Sequence, residues 1–486
     1  MSKKKKVWLA VSAVIIVALI VLCHIFFIKP ALVVHKLEKL QVEEGPTAKY
    51  LGLMPQTDEI FGWAQELTEM GPRRVGTEIG REAQSYVKEK FESFGMENVE
   101  IIKSDSTLWN CNEWKLTVAG EKIPSYFMTH TFNDGSFGKF STPEGGLEAE
   151  IVYVGDGDRK DFKNVDVSGK IVMANVKFMK VPVGLAKLAS FLTYDPGNTA
   201  PFFSTRLNPY SPNTYPYNYF NAMENGAVGF IGILSDYIDS NEYNNEDYSY
   251  LGGHMRLPAL WVTQKDADII IGAIKKGGGA AEAILDMDIE ISQVKGGAVA
   301  GWLPAKSDET IIVQSHYDSS TPGAVEDASG TSAVLAIAKF YSQIPASERD
   351  RSLLFVLMDT HFTGYESHEA FNDKYLTEGH KILADVCIEH IANELVEKDG
   401  ELVLTGHVEP RIIFTSKVDA LINITSEEII RHGLVRSLIV PADLFGDDPP
   451  CDATMVFQAG VPIISLISGP IYLYDNIDTT DKIAKE

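Results

Sequence analysis

Cysteine is scarce in this sequence, basic residues are outnumbered, and neither an internal repeat nor a low-complexity tract occurs. Four cysteines, Cys23, Cys111, Cys387 and Cys451, are too few and too widely spaced to staple a small scaffold, so the fold must rest on a packed core. Cys23 lies inside an apolar run. Among the other three, free buried thiols are expected, with one bridge left open. Forty-three Lys and Arg stand against 67 Asp and Glu, a formal charge of −24 that would repel phosphate backbones and anionic membrane surfaces. No nucleic-acid partner is expected, and the acidity reads as solubility. A chain of 486 residues is too long for one core and implies two or three folded units.

What is present begins with a membrane signal. Residues 7–28 are almost wholly apolar, and at about 1.5 Å per residue they would span about 33 Å, the thickness of a hydrocarbon core. Lys3, Lys4, Lys5 and Lys6 precede the run, and no small-residue cleavage pattern follows Ile28. The segment therefore reads as an uncleaved signal anchor rather than a cleaved signal peptide. Residues 1–6 would lie in the cytoplasm and the remainder outside, in a single-pass cell-membrane protein; His24 would sit near the outer interface.

Beyond the anchor, residues 29–56 are of mixed charge and read as a stalk. Thr57 or Asp58 can cap a helix whose buried side is Ile60, Trp63, Ala64 and Leu67, and Gly71-Pro72 ends it. A second helix is expected over 81–94. Residues 146–291 change texture to short β-rich runs between turns and read as an inserted domain, whose loops around 194–219 could overhang a neighbouring cleft. From about Ala298, apolar strands at 311–313, 353–358, 386–388 and 461–466 alternate with helical stretches such as 332–341. The pattern predicts an α/β fold with a mostly parallel sheet sandwiched by helices, built from residues 57–145 and 292–486 around the insert at 146–291.

Open parallel sheets bind ligands beyond the carboxyl ends of their strands. There the first strand runs into Ser315-His316-Tyr317-Asp318, the second into Asp359-Thr360-His361 and the third into Glu389-His390, with Glu326-Asp327 in the loop after the first. A single His or acid at such a place is usually a cap or a solvated turn residue. Their convergence is what a divalent cation requires, imidazole and carboxylate donors around an ion that polarises a carbonyl or acidifies water.

At these residues the sequence resembles metallopeptidase family 28, which includes zinc aminopeptidases, glutamate carboxypeptidase II and the non-catalytic transferrin receptor. The resemblance runs through Gly71-Pro72-Arg73 with Gly76-Thr77, then His316-Tyr317-Asp318, Pro322-Gly323-Ala324 to Ala328-Ser329-Gly330, and Cys451-Asp452 with Gly460-Val461-Pro462. Residues from Val152-Tyr153-Val154-Gly155 to Gly226-Ala227-Val228-Gly229 are similar to the family's inserted protease-associated domain. The fold implied is that of a zinc exopeptidase.

The family holds two zinc ions with a His, a bridging Asp, a Glu, a further acid and a final His, beside a Glu that serves as base. Carried over, His316 is the first His, Asp318 the acid that orients it, and Glu326 the bridging carboxylate, with Asp327 as the alternative if the register slips by one. Glu389 is the further acid. The Glu-Glu pair falls on His361-Phe362 and the final His on Tyr474, so both private ligands of one zinc are replaced, unless His361 or Asp475 substitutes. The resemblance thus implies one zinc at most, on His316, Glu326 and Glu389, and a peptide or amide substrate. His361 is the candidate base and Tyr474 a hydroxyl donor. A second reading is a pseudopeptidase serving as a binding or receptor ectodomain. A third is an intact two-ion site using nearby acids such as Asp359 and Glu366. Oligomeric state is not legible.

Overall fold

The computed structural model describes residues 48–163, 165–247, 251–377, 379–398 and 401–485. The apolar run at 7–28 and most of the expected stalk lie outside the described residues. Among the described residues no helix is long and apolar enough to cross a membrane.

The helix Thr57–Glu69 buries Trp63, Ala64 and Leu67, the face that its spacing predicts. It is followed by Glu78–Ser93, where Thr77 caps the start by accepting a hydrogen bond from Gly80 N at 3.0 Å. Both pack into the main core, with Phe91 and Leu67 fully buried.

Four strands form the parallel centre of a sixteen-stranded sheet, in the order Ser352–Met358, Thr310–His316, Ile382–Ile388 and Ile463–Ser468. Ser352–Met358 is buried along its whole length, as a strand covered on both faces must be. The helix Gly330–Ser342 returns the chain from the first strand to the second. Because the strands run the same way, His316, Asp359 to His361, and Glu389 with His390 all emerge at one edge. The outer strands are partly antiparallel, Arg411–Thr415 pairing antiparallel to Ile463–Ser468.

The expected insert is joined to this sheet rather than set apart from it. Leu147–Tyr153, Ile171–Val176, Gly229–Leu234 and Ala259–Val262 form a parallel set that continues the sheet through one 23-residue strand, Ala281–Leu303. That strand pairs with Leu147–Tyr153 near its start and with Ser352–Met358 near its end, and it runs unbroken through residues 291 and 292. The 22-residue strand Glu97–Val118 lies antiparallel along it. Cys111, Cys387 and Cys451 are free thiols.

Candidate metal centre

The loop after the strand Thr310–His316 is shaped by two glycines. Gly323 has φ 61°, and a side chain there would lie 2.2 Å from the Glu326 carbonyl; one at Gly330 would lie 2.3 Å from both Asp327 Oδ2 and the Ile388 carbonyl. Between them the chain is bent so that Glu326 and Asp327, joined by a cis peptide, are both buried. Asp478 holds the bend from the other side, its carboxylate accepting from Val325 N at 3.0 Å and Glu326 N at 2.9 Å.

Three imidazoles converge on the Glu326 carboxylate. His316 Nε2 lies 3.3 Å and His361 Nε2 3.8 Å from its Oε1, and His390 Nε2 lies 2.6 Å from its Oε2. The rings of His316 and His361 stack with centroids 4.2 Å apart. Each ring is held through its other nitrogen: His316 Nδ1 faces Asp318 Oδ1 at 3.1 Å, His361 Nδ1 faces Asp452 Oδ1 at 2.8 Å, and His390 Nδ1 faces Tyr210 Oη at 2.8 Å and the Ser468 carbonyl at 3.0 Å. With Nδ1 so engaged, Nε2 is the atom each neutral ring offers to a ligand.

Asp327 Oδ2 lies 4.0 Å from His316 Nε2, but its carboxylate is engaged by other groups. It accepts from Gly330 N at 2.9 Å, His390 N at 3.1 Å and Ser315 Oγ, so its carboxylate pins backbone while Glu326 occupies the middle. Glu389 accepts from Asp452 N at 3.0 Å and from Cys387 Sγ at 2.9 Å. His316, Glu389 and His390 bring donor atoms within 4.8 Å of one another, as do His316, His361 and Asp452. Both groups share His316. Its Nδ1 is committed to Asp318, so through Nε2 it can bind a single ion.

The residues fit such an ion. His316 Nε2, His361 Nε2, His390 Nε2, Asp452 Oδ2 and both Glu326 oxygens are buried, and their close polar neighbours are one another, Glu246 and His368. Buried polar groups are otherwise almost always satisfied, and these atoms are ligand types for zinc. The electrostatics agree. Burial would strip the proton from His390, yet Glu326 holds its pKa up at about 9. Burial and His316 both depress His361, but Asp452 and Glu246 carry it to about 10. Burial and Asp452 push Glu389 up to about 7, whereas the imidazoles outweigh burial at Glu326 and hold it well below the carboxylate range. The cluster therefore demands positive charge, as protons or as a cation.

His316, Glu326, Glu389, His361 and Asp318, all expected from sequence, are thus brought together. The other expected residues lie at the margin or outside. Tyr474 Oη donates to Glu246 Oε1 at 2.5 Å, and Glu246 lies 3.8 Å from His361 Nε2. Asp475 belongs to neither donor group, and one of its oxygens accepts from Ile477 N at 3.1 Å. Asp359 is engaged by Gly297 N at 2.8 Å and Tyr317 Oη at 3.1 Å, and Glu366 by Ser106 and Thr363, and among the described residues neither acid belongs to a donor group. Sequence reasoning gave no role to His390, named only as the residue after Glu389, and used Asp452 only as a landmark. It also missed Glu246 and Tyr210, which come from the insert without a motif. The signal available for His390 was its place directly after Glu389 at a strand end.

The central sheet and the buried imidazole–carboxylate cluster at its strand ends define an α/β fold with a candidate metal centre. Residues 298–383 match the profile of peptidase family M28, which the chain thus resembles in sequence as well as in fold. Three solved structures show the same fold. A peptidase M28 precursor from Shewanella amazonensis SB2B is 20% identical, with 88% of this chain and 91% of that one covered at a TM-score of 0.63. A zinc aminopeptidase from Bacillus subtilis is 18% identical over 89% and 91%, at 0.60. An aminopeptidase from Aneurinibacillus sp. strain AM-1 is 19% identical over 88% and 90%, at 0.58. No curated protein sequence matches the chain.

Proposed function

We propose that the chain is a single-zinc exopeptidase of the aminopeptidase type, acting on peptide or related amides outside the cell and tethered by a signal anchor at residues 7–28, with its N-terminus in the cytoplasm. The convergence of three oriented, buried Nε2 atoms on the Glu326 carboxylate carries this reading. His316, Glu326, Glu389 and His390 would hold the ion, which when bound supplies Lewis acidity toward a carbonyl and a lowered pKa for water. Residues 146–291 are read as a protease-associated type of insert that reaches over the centre with Tyr210 and Glu246.

The remaining roles fall to the chain's own side chains. Asp318 and Asp452 orient His316 and His361 through their Nδ1 atoms. With the cluster's demand for positive charge met by an ion rather than by protons, His361 Nε2, which faces the centre, is the atom that would take a proton during attack and return it to the leaving amine, the task for which the family uses a Glu. Tyr474 fixes Glu246 beside it. Burial of the cluster excludes bulk water and strengthens each of these interactions.

One observation favours the pseudopeptidase reading: where the family places two further ligands, this chain has Phe362, packed 5.1 Å from the His361 ring, and Tyr474, tied to Glu246. The experiment is zinc analysis of the purified full chain, followed by assay of amino-acid release from unblocked peptides. The expected result is one zinc per chain, lost in His316→Ala, with release of N-terminal residues. Zinc without release would leave a binding ectodomain, and no zinc in the wild type would refute the centre.

A further inference from the structure

Beside the metal centre runs a narrow cleft whose walls include Arg74, Thr107, Trp109, His130, Asp318 and Phe362. Asp318 also holds His316 Nδ1 and Phe362 packs 5.1 Å from the His361 ring, so the cleft shares two of its walls with the metal centre.

The two consecutive arginines at its edge are used differently. Arg73 is fully buried and spent on backbone, donating to the carbonyls of Leu67 at 3.0 Å and of Tyr317, Pro322 and Gly323 at 2.8 Å each. Arg74 is partly buried on the cleft wall and donates to two neutral acceptors, Asn110 Oδ1 at 3.2 Å and the Trp109 carbonyl. In a chain with 67 acidic residues, none among the described residues comes within ion-pair distance of its guanidinium. A guanidinium carries five donors in a planar fork, and two contacts to neutral oxygens leave charge and donors unmatched.

The other ionisable groups of the cleft do not supply the match. Asp318 is committed to His316 Nδ1, and His130 is held neutral chiefly by burial, with Asp247 acting on it in the opposite sense. Burial likewise pulls the Arg74 pKa below its usual value, and the groups that act on it in the opposite sense are Tyr126 and Cys111 rather than a carboxylate.

We propose that this cleft is a carboxylate-recognising subsite in which Arg74 binds a carboxylate of the substrate. The inference rests on reading the centre as peptide-hydrolysing, which supplies the direction of the substrate, but the binding itself does not require turnover. The carboxylate is either an acidic side chain or the terminus of a short peptide.

The test is calorimetric binding to the zinc-loaded full chain of four probes: alanyl-glutamate, its α-amide, alanyl-glutamine, and alanyl-glutamine amide. The first three carry both carboxylates, the side-chain one alone and the terminal one alone; the fourth carries neither. At least one singly charged probe should bind about tenfold or more tightly than the neutral one, and which one identifies the source. That preference should vanish in Arg74→Gln, survive in part in Arg74→Lys, and shrink in the wild type as salt is raised to about 0.5 M. Equal binding of all four probes by the wild type would overturn the subsite, as would a preference that persists in folded Arg74→Gln. The salt series needs no variant. Carboxylate preference without hydrolysis would keep the subsite and refute the peptidase reading, while hydrolysis without preference would do the reverse.

Discussion

Tyr210 shows how the centre depends on side chains that never touch an ion. Its hydroxyl lies 2.5 Å from the Ser468 carbonyl, to which it donates, and 2.8 Å from His390 Nδ1, from which it accepts. This leaves His390 Nε2 as the lone-pair atom toward Glu326. Tyr210→Phe should therefore lower zinc affinity about 10- to 100-fold, the usual effect of removing an outer-shell partner, with little change in fold. Zinc competition with a chromophoric chelator would measure it, and an unchanged affinity would show that Ser468 alone orients the ring. His390 also explains why the ligand set was only partly legible in the sequence. Successive strand residues point to opposite faces, so a chain that sends Glu389 inward should send His390 away. The structure escapes that rule because His390 has φ 55°, and Thr360, directly before His361, has φ 69°. Left-handed backbone at non-glycine residues is uncommon, and for β-branched Thr360 it is an outlier of the kind that collects at functional sites. Side-chain type and spacing carry no trace of it.

At the scale of elements, the loop from Gly323 to Gly330 is specified by what its backbone must avoid. A methyl group at Gly330 would press on the Asp327 carboxylate and the Ile388 carbonyl, neither of which can yield without moving Glu326 or the next strand. Gly330→Ala should cost about 3 kcal/mol of unfolding free energy and displace the centre. Gly62→Ala gives the contrast. Gly62 lies inside the helix Thr57–Glu69 with nothing within 4 Å of the added methyl. There the change should stabilise by up to about 1 kcal/mol. Chemical denaturation of both variants checks the pair, and a Gly330→Ala protein as stable as wild type would mean the loop can relax. The parallel strands were readable because their apolar runs are long, and the first helix because its buried face recurs at helical spacing, although the expected cap at Thr57 or Asp58 is not found: Gln56 stands at the N-cap without a side-chain hydrogen bond. The boundary at residue 291 was not. The strand Ala281–Leu303 serves both parts of the molecule, and its alternation up to Lys295 and the continuously buried run from Gly296 to Gly301 look like two units in one dimension.

At the scale of the whole molecule, the insert is fastened to the C-terminal part by a charged clamp that sequence could not announce, since its partners lie 188 and 203 positions apart. Arg206, on the strand Thr205–Pro212 that also carries Tyr210, bonds Glu394 and Glu409 at 2.5 Å each, and Arg436 bonds Glu394 at 2.9 and 2.7 Å. The clamp thereby sets the strand that delivers Tyr210 to His390, so its strength should depend on pH in a defined window. Burial would raise the Glu394 pKa, but Arg436, Thr405 and Arg206 outweigh it and hold the group at about 2, below the value of about 4.3 in an unfolded chain. The folded protein therefore binds fewer protons at Glu394, and the stability it contributes is fully present above about pH 4.3 and lost as pH falls through about 2. Glu409 has the opposite sign. Burial lifts it to about 7 despite Arg206, so its contribution is largest below about pH 4.3 and is lost as pH rises toward 7. Glu394→Gln isolates the first effect: it should cost about 2–3 kcal/mol near pH 6, and the difference from wild type should close as pH approaches 2. Denaturant titrations across that range decide it. A difference that stays constant with pH would mean that Glu394 acts through packing and hydrogen-bond geometry, and that its charge does not fasten the insert over the centre.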